Sequence, residues 1–202
     1  LLAEAQQWLQ KAIALKPELV PAHFNLAMLR IDQRQWGDAA SSLQALLQYA
    51  PNHADAHYWL GNALTGLGDV THARQAYLEA VKLKPGYVQA RWGHAMAHLP
   101  VVPQTDAEQA QAPKAFAREL EKLHTKLAGP YATSGYQAVG AQQPYFLAYI
   151  AANHRAALAR YGAWCSKLMA VWARSVGVPA PVSPHLGKCR IGIVSAHIHS
   201  HS

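Results

Sequence analysis

The chain has 202 residues, a formal net charge of +7 and two cysteines, Cys165 and Cys189. Its length is enough for one or two domains with a hydrophobic core. No apolar run is long enough to span a bilayer, no secretory signal opens the chain, and the cysteines have neither a disulfide framework nor metal-ligand spacing. The composition therefore predicts a soluble, cytoplasmic protein with no membrane partner.

A repeat with a period of 34 residues organises the first half of the chain. This interval is the period of the tetratricopeptide helix–turn–helix unit. In such a unit a small residue lies where the second helix packs on the first, and a proline ends the second helix. Both signals recur in phase, the small residue at Ala5, Ala39 and Ala73 and the proline at Pro17, Pro51 and Pro85. The pattern predicts an all-α tetratricopeptide-repeat superhelix over residues 1–99.

The third repeat shows the pattern most fully. Leu60 and Leu64 share one face of its first helix, and Ala73 and Tyr77 share the facing stripe of the second. The opening residues resemble a second helix without its first, so we expect the chain to be cut at its N-terminal side. A further first helix is predicted after Pro85, with Ala95 at its small position.

A helical bridge is predicted over residues 100–187. Prolines interrupt the repeat at its start, because each disfavours helical geometry in the preceding residue. Thr105 is then expected to cap a helix that ends at Gly129. The apolar stripe of this helix, which includes Phe116, needs a partner, and Trp92 offers one. We therefore expect the bridge to pack on the last repeat.

The rest of the bridge is predicted to contain a loop, a second helix and a linker. Residues 129–144 are rich in Gly, Ser and Gln, which is typical of a loop. Asn153 is expected to cap a long helix that ends near residue 177, with apolar residues at helical spacing from Leu158 to Trp172. Three prolines between residues 178 and 187 mark the linker.

The C-terminal residues indicate the start of another domain. The apolar run at residues 190–195 is typical of a short buried strand. One strand cannot form a sheet. We therefore expect residues 188–202 to be the truncated start of an α/β domain.

Basic residues dominate the second half of the chain. From Lys122 onward there are eight Lys and Arg residues and no Asp or Glu. A nucleic-acid-binding protein can have this composition, and aromatic residues are interleaved with the basic ones. The basic residues are nevertheless spread along predicted helices, and the aromatic spacing also suits packing. We therefore expect an acidic partner or an acidic domain, and no nucleic acid.

Several segments of the bridge resemble one enzyme family. Residues 99–102 (Leu-Pro-Val-Val) and 144–149 (Pro-Tyr-Phe-Leu-Ala-Tyr) are similar to the bridge of bacterial tetratricopeptide-bearing glycosyltransferases. The strand at 190–195, followed by His201 and a serine, looks like the first strand and loop of their GT-B catalytic region. The chain thus resembles relatives of the protein O-linked N-acetylglucosamine transferase and the SPINDLY-like enzymes.

The resemblance implies a nucleotide-sugar-dependent protein O-glycosyltransferase. Such enzymes transfer sugar from a UDP-GlcNAc-like donor to a Ser or Thr hydroxyl with inversion. A histidine in the loop after the first strand lines their active site, and His201 matches it. An imidazole there can orient the attacking hydroxyl or accept its proton, although His201 could instead pack at a domain edge. Donor-binding groups would lie in a downstream catalytic domain, so we expect residues 1–202 alone to be inactive and to hold no cofactor.

The resemblance also implies a peptide groove on the concave face of the repeats. Relatives hold extended protein or peptide substrates there with a ladder of asparagines. Asn25 matches a rung, whereas Trp59 and Gly93 occupy the corresponding positions of the next two repeats. Asn62 is expected to reach the same groove from a neighbouring turn. The alternative for Asn25 is a bond to the adjacent repeat.

The closing histidines raise the question of a metal site. His197, His199 and His201 alternate, so on a strand they would share one face. No carboxylate or cysteine joins them, and a loop is expected there. We therefore predict no metal.

An adaptor is the alternative to the enzyme. Tetratricopeptide repeats can bind a partner peptide or protein without any catalytic domain. A nucleotide-binding half downstream would favour the enzyme, and its absence would favour the adaptor.

Overall fold

The computed structural model describes residues 2–129 and 131–178, and within that range it is all-helical. The predicted all-α class is confirmed for these residues, while the predicted strand at 190–195 lies outside them. The α-helices are α1 (Leu2–Leu15), α2 (Val20–Asp32), α3 (Trp36–Tyr49), α4 (Ala54–Gly66), α5 (Val70–Leu83), α6 (Val88–Met96), α7 (Asp106–Ala128) and α8 (Arg155–Ser175), and the 3₁₀-helices are Gly135–Ala138 and Tyr145–Tyr149.

The helices α1 to α6 form the repeats, and each packs against the next along the chain. The small residues lie at these contacts as predicted, since Ala39 and Ala73 are 0% exposed and Ala95 is 2% exposed. A larger side chain at such a position would push the two helices apart. Ala5 differs from the others and is exposed, because α1 lies at the end of the stack and buries none of its residues.

Each repeat proline is held by a side chain from the helix that follows it. The donor lies six residues after the proline and donates a hydrogen bond to the proline carbonyl, which lies beyond the end of the preceding helix. This arrangement gives each turn between repeats a fixed geometry. The pairs are His23 Nε2 with Pro17 (2.8 Å), His57 Nε2 with Pro51 (2.9 Å) and the Arg91 guanidinium with Pro85 (2.8 and 3.1 Å).

Tyr77 is the largest fully buried side chain of the core cluster formed by the repeats, since Trp92 of α6 belongs to the cluster shared with the bridge. Its ring lies against two glycines of neighbouring first helices, Gly61 on α4 and Gly93 on α6. An ideal Cβ on either glycine would stand within 2.7 Å of a ring carbon, which is closer than real side chains approach. The missing Cβ atoms therefore make room for the ring, and α4, α5 and α6 meet at this point.

The bridge begins with the helix α7, which packs on α6 as predicted. Thr105 caps it by accepting a hydrogen bond from the Glu108 backbone N–H (3.1 Å). Phe116 and Trp92 are both fully buried in one shared cluster. The second helices α3 and α5 start 34 residues apart, and α7 starts 36 residues after α5, at Asp106. The helix α7 thus takes the place of the second helix of a repeat, and it starts two residues late because of the prolines that precede it.

Three expectations about the rest of the bridge need correction. The loop predicted at residues 129–144 contains the 3₁₀-helix Gly135–Ala138, and α8 begins at Arg155 with His154 at its N-cap position. The Asn153 side chain still accepts a hydrogen bond from the Arg155 N–H (3.0 Å). The helix α8 buries Trp164 and Leu168, whereas the ends of the predicted stripe, at residues 158 and 172, are exposed. None of the described helices combines the length and the apolar character needed to cross a membrane.

Candidate functional site

The structure describes two of the three predicted site residues, Asn25 and Asn62. Asn25 is exposed on α2, and its side chain makes no hydrogen bond to any described residue. The alternative of a bond to the adjacent repeat is therefore not found within the described residues. Asn62 on α4 is half-buried and lines a groove. His201 lies outside the described residues, and so does the alternating histidine set that ends with it.

The groove that contains Asn62 lies between the repeats and the bridge, and we name it the shared groove. Its volume is about 590 Å³. The repeat side comes from the ends of α2 and α6, the start of α3 and one face of α4. The other side is the bridge segment that surrounds the start of the second 3₁₀-helix. The lining residues are Ile31, Trp36, Tyr58, Trp59, Asn62, Thr65, Met96, Leu99, Ala141, Gln142, Gln143, Tyr145 and Phe146.

A polar network joins the two sides of the shared groove. The Gln142 Nε2 group donates to Asn62 Oδ1 (3.0 Å) and to the Tyr77 hydroxyl oxygen (2.7 Å). The Tyr77 hydroxyl in turn donates to Asn62 Oδ1 (2.7 Å). Burial raises the pKa of Tyr77 well above its usual range, so its hydroxyl keeps the proton that it donates. A side chain of the bridge thus bonds to the carboxamide that was predicted to receive a peptide.

The backbone of Gln142 ties the same segment to the bridge core. Its carbonyl accepts a hydrogen bond from Trp92 Nε1 (2.8 Å). The Trp92 ring is stacked on Trp164 of α8, with 5.0 Å between the ring centres. Gln142 is therefore held by hydrogen bonds to α4, α5 and α6, and the Trp92–Trp164 stack connects this segment to α8.

Trp59 and Gly93, which interrupt the asparagine ladder, have separate roles in the structure. Trp59 lines the shared groove and meets the Tyr58 ring edge-on, with 5.1 Å between ring centres. Gly93 instead faces the buried Tyr77 ring. One of the two positions therefore contributes an aromatic ring to the groove, and the other makes room for a buried ring of the repeats.

The sequence indicated few of the groove residues. Gln142 is 80 residues from Asn62, and no local pattern links the two. Trp36 packs beside Gly66, whose missing Cβ makes room for the indole ring, and no periodic pattern indicated this contact. The aromatic residues 145 and 146 belong to the segment that carried the family resemblance, yet their role in a groove could not be deduced from that.

A pair of histidines forms a second polar feature, with His94 on α6 and His98 in the turn that follows it. The rings of His94 and His98 meet edge-on, with 5.0 Å between their centres. Burial, and then the neighbouring His98, lower the pKa of His94 to about 4. Both imidazoles are therefore neutral at pH 7, since burial also lowers the pKa of His98. No group of three or more His, Cys, Asp and Glu side chains within residues 2–129 and 131–178 could hold a metal ion.

Comparisons with known proteins identify the repeats. A family model described as tetratricopeptide repeat matches residues 24–88. The chain is 35% identical over 60 residues to the BBSome complex member BBS4 of Mus musculus, a match covering 30% of this chain and 12% of that protein. It is 31% identical over 87 residues to the protein O-mannosyl-transferase Tmtc3 of Drosophila melanogaster, covering 43% of this chain and 9% of that protein. The chain therefore contains tetratricopeptide repeats, and it matches about a tenth of each relative's length.

Solved structures show the same fold at low sequence identity. MamA is 18% identical with a TM-score of 0.57, covering 85% of this chain and 89% of MamA. YrrB, described as a tetratricopeptide protein with an unusual peptide-binding site, is 15% identical with a TM-score of 0.53, covering 84% and 77%. An O-GlcNAc transferase of Thermobaculum terrenum is 22% identical with a TM-score of 0.50, covering 62% of this chain and 23% of the transferase. At these identities the likeness establishes the repeat superhelix alone.

Proposed function

We propose that the repeats of this chain are a protein-interaction scaffold that holds an extended segment of a partner protein on the face formed by α2 and α4. The observation that carries this proposal is the shared groove, which is open between the repeats and the bridge and has a volume of about 590 Å³. That volume is within the range of sites that hold small ligands or peptide side chains. YrrB, a protein of the same fold, is described as having a peptide-binding site.

Asn25 supports the same proposal independently of the groove. Its carboxamide has a donor and an acceptor, and both face solvent with no partner among the described residues. A peptide backbone in extended form presents the matching acceptor and donor. A segment that ran along α2 could therefore bond Asn25 before it entered the shared groove.

Selection from a display library of 12-residue peptides tests the scaffold proposal. We expect enriched peptides to bind the 202-residue chain reversibly, and Asn25→Ala to weaken their binding. Hydrogen–deuterium exchange of the complex should show protection of amides in α2 and α4. Trp8→Ala is the control, because Trp8 lies on α1, is 68% exposed and does not line the groove. Failure to enrich any peptide, or protection confined to α8, would contradict the proposal.

We further propose that this scaffold serves a nucleotide-sugar-dependent protein O-glycosyltransferase. The bridge segments that resemble this family support the proposal, and two proteins similar to parts of the chain are named as glycosyltransferases. A downstream catalytic domain would take a UDP-GlcNAc-like donor, with residues 1–202 presenting the protein substrate. His201 would act near the acceptor hydroxyl, either orienting it or accepting its proton.

The enzyme proposal is tested on the full-length gene product. The assay follows transfer of labelled sugar from a panel of nucleotide donors to protein. We expect activity with a UDP-linked N-acetylhexosamine and a loss of about 10²-fold or more in His201→Ala. His199→Ala is the matched control, since it removes an imidazole two residues away. An active protein in which His201→Ala kept full activity would remove His201 from the site, and a protein inert with every donor would favour the adaptor.

A further inference from the structure

The walls of the shared groove carry no charge. Of its thirteen lining residues, none is Asp, Glu, Lys, Arg or His. This is unusual for a chain with a formal net charge of +7 and twelve histidines. A charged side chain that entered the groove would lose hydration without meeting an opposite charge, which is costly. Charge complementarity therefore favours an uncharged occupant.

Aromatic rings form most of the apolar wall, and they come from both sides of the groove. Trp36 and Trp59 belong to the repeats, whereas Tyr145 and Phe146 belong to the bridge. Tyr145 is 63% exposed, and Trp36, Trp59 and Phe146 are half-buried. Rings that remain accessible in a concave site offer flat apolar contact, which is the property of anchor pockets in protein interfaces.

The polar groups of the groove are amides and hydroxyls, and they are unequally engaged. The side chains of Asn62 and Gln142 already bond to each other and to Tyr77. The Thr65 hydroxyl donates to the backbone carbonyl of Gly61 (2.8 Å). The Gln143 carboxamide is exposed and makes no hydrogen bond among the described residues. It is therefore the amide on the bridge side that is available to a peptide backbone.

We propose that the shared groove binds an uncharged stretch of a partner polypeptide through one bulky apolar anchor side chain, with the repeats and the bridge each supplying half of the site. This inference rests on the proposed scaffold function and adds the chemical class of the partner. The anchor packs between Trp59 and Phe146, and Gln143 bonds the peptide backbone beside it. Gln142 positions the bridge half through its bonds to Asn62 and Tyr77.

Peptides enriched on the wild-type chain provide the probe for this proposal. We expect them to share one Trp, Phe, Leu or Met with no charged neighbour. Replacing that residue by Asp or Lys should abolish binding, which is measured by fluorescence anisotropy of the labelled peptide. In the protein, Trp59→Ala and Phe146→Ala should each raise Kd by about tenfold or more. Trp8→Ala and Trp172→Ala are the matched controls, one in the repeats and one in the bridge, and should change Kd by less than about twofold.

The outcomes separate this inference from the scaffold proposal. Loss of binding in Trp59→Ala with an unchanged Kd in Phe146→Ala would overturn the two-sided site and leave the scaffold proposal standing. Enriched peptides that required a charged residue at the anchor position would overturn the partner class. No enrichment at all would contradict the scaffold proposal itself. If circular dichroism shows that Phe146→Ala is misfolded, Tyr145→Ser replaces it, because Tyr145 is largely exposed and also lines the groove.

Discussion

The contact between Gly93 and the ring of Tyr77 allows the repeat packing to be tested quantitatively. An ideal Cβ on Gly93 stands 2.7 Å from two ring carbons, whereas ordinary contact begins at 3.4 Å. In Gly93→Ala the ring would have to retreat by about 0.7 Å, and this movement is resisted. Gly61 lies against the same ring carbons, and the hydroxyl is bonded to Asn62 and Gln142.

The expected magnitude follows from two opposing effects. Overpacking of a tight contact costs about 1–3 kcal/mol. Replacing a helical glycine by alanine stabilises the folded chain by about 1 kcal/mol, because alanine has the higher helix propensity. We therefore expect Gly93→Ala to lower the free energy of unfolding by up to about 2 kcal/mol, as measured by urea denaturation followed by far-ultraviolet circular dichroism.

The matched control is Gly162→Ala in α8, because a Cβ there meets no atom within 4 Å. The free energy of unfolding of this variant should rise by about 0.5–1 kcal/mol, because alanine has a higher helix propensity than glycine. In a Tyr77→Leu background the cost of Gly93→Ala should disappear, since the ring that it meets is gone. A Gly93→Ala protein as stable as Gly162→Ala would refute the close contact and the packing derived from it.

Three further predictions concern other parts of the chain. The pKa of His94 is about 4 in the folded chain and about 6.5 in the unfolded chain. As the pH falls, His94 is therefore protonated in the unfolded chain before it is protonated in the folded chain. Stability should therefore fall as the pH is lowered from 6.5 to 4, and the urea midpoints of His94→Gln should show a flatter fall. Thr105→Ala removes the cap of α7 and should lower the free energy of unfolding by about 1 kcal/mol, measured against Thr125→Ala. Gln142→Ala leaves Asn62 and Tyr77 with fewer partners and should lower it by about 1–2 kcal/mol by the same assay.

The periodic features of the fold were predictable from the sequence because each repeat solves the same packing problem. Ala39 and Ala73 are buried at helix contacts, as their 34-residue interval predicted. The donors to the proline carbonyls keep the same interval but were missed. They are His23 and His57 in two turns and Arg91 in the third. All three have a side-chain N–H at the same position of the repeat. Because histidine and arginine are different residue types, the repeat of this position was not recognised in the sequence.

The shared groove was not predictable in the same way. Its polar network depends on a contact between residues 62 and 142 that no periodic pattern encodes. Asn62 was predicted to reach the peptide groove, and the structure shows its side-chain oxygen accepting hydrogen bonds from Tyr77 and from Gln142 of the bridge. Asn25 carries the same carboxamide on an earlier first helix and has no partner among the described residues. The difference arises because two donors, Tyr77 of α5 and Gln142 of the bridge, reach Asn62 on α4.

The groove has two unlike sides because the chain comes back to the repeats after α7. A second helix that began at the regular interval would start at residue 104, whereas α7 begins at Asp106 after the prolines and runs for 23 residues. The chain then returns through residues 131–149, and Gln142 meets Tyr77 and Asn62 on the way. Any segment that occupies the groove must therefore contact the bridge as well as the repeats. Because the Gln142 carbonyl also accepts the Trp92 indole N–H, such contact reaches the core between α6 and α8. Gln142 thus connects α4 and α5, through its side chain, with the core between α6 and α8, through its carbonyl.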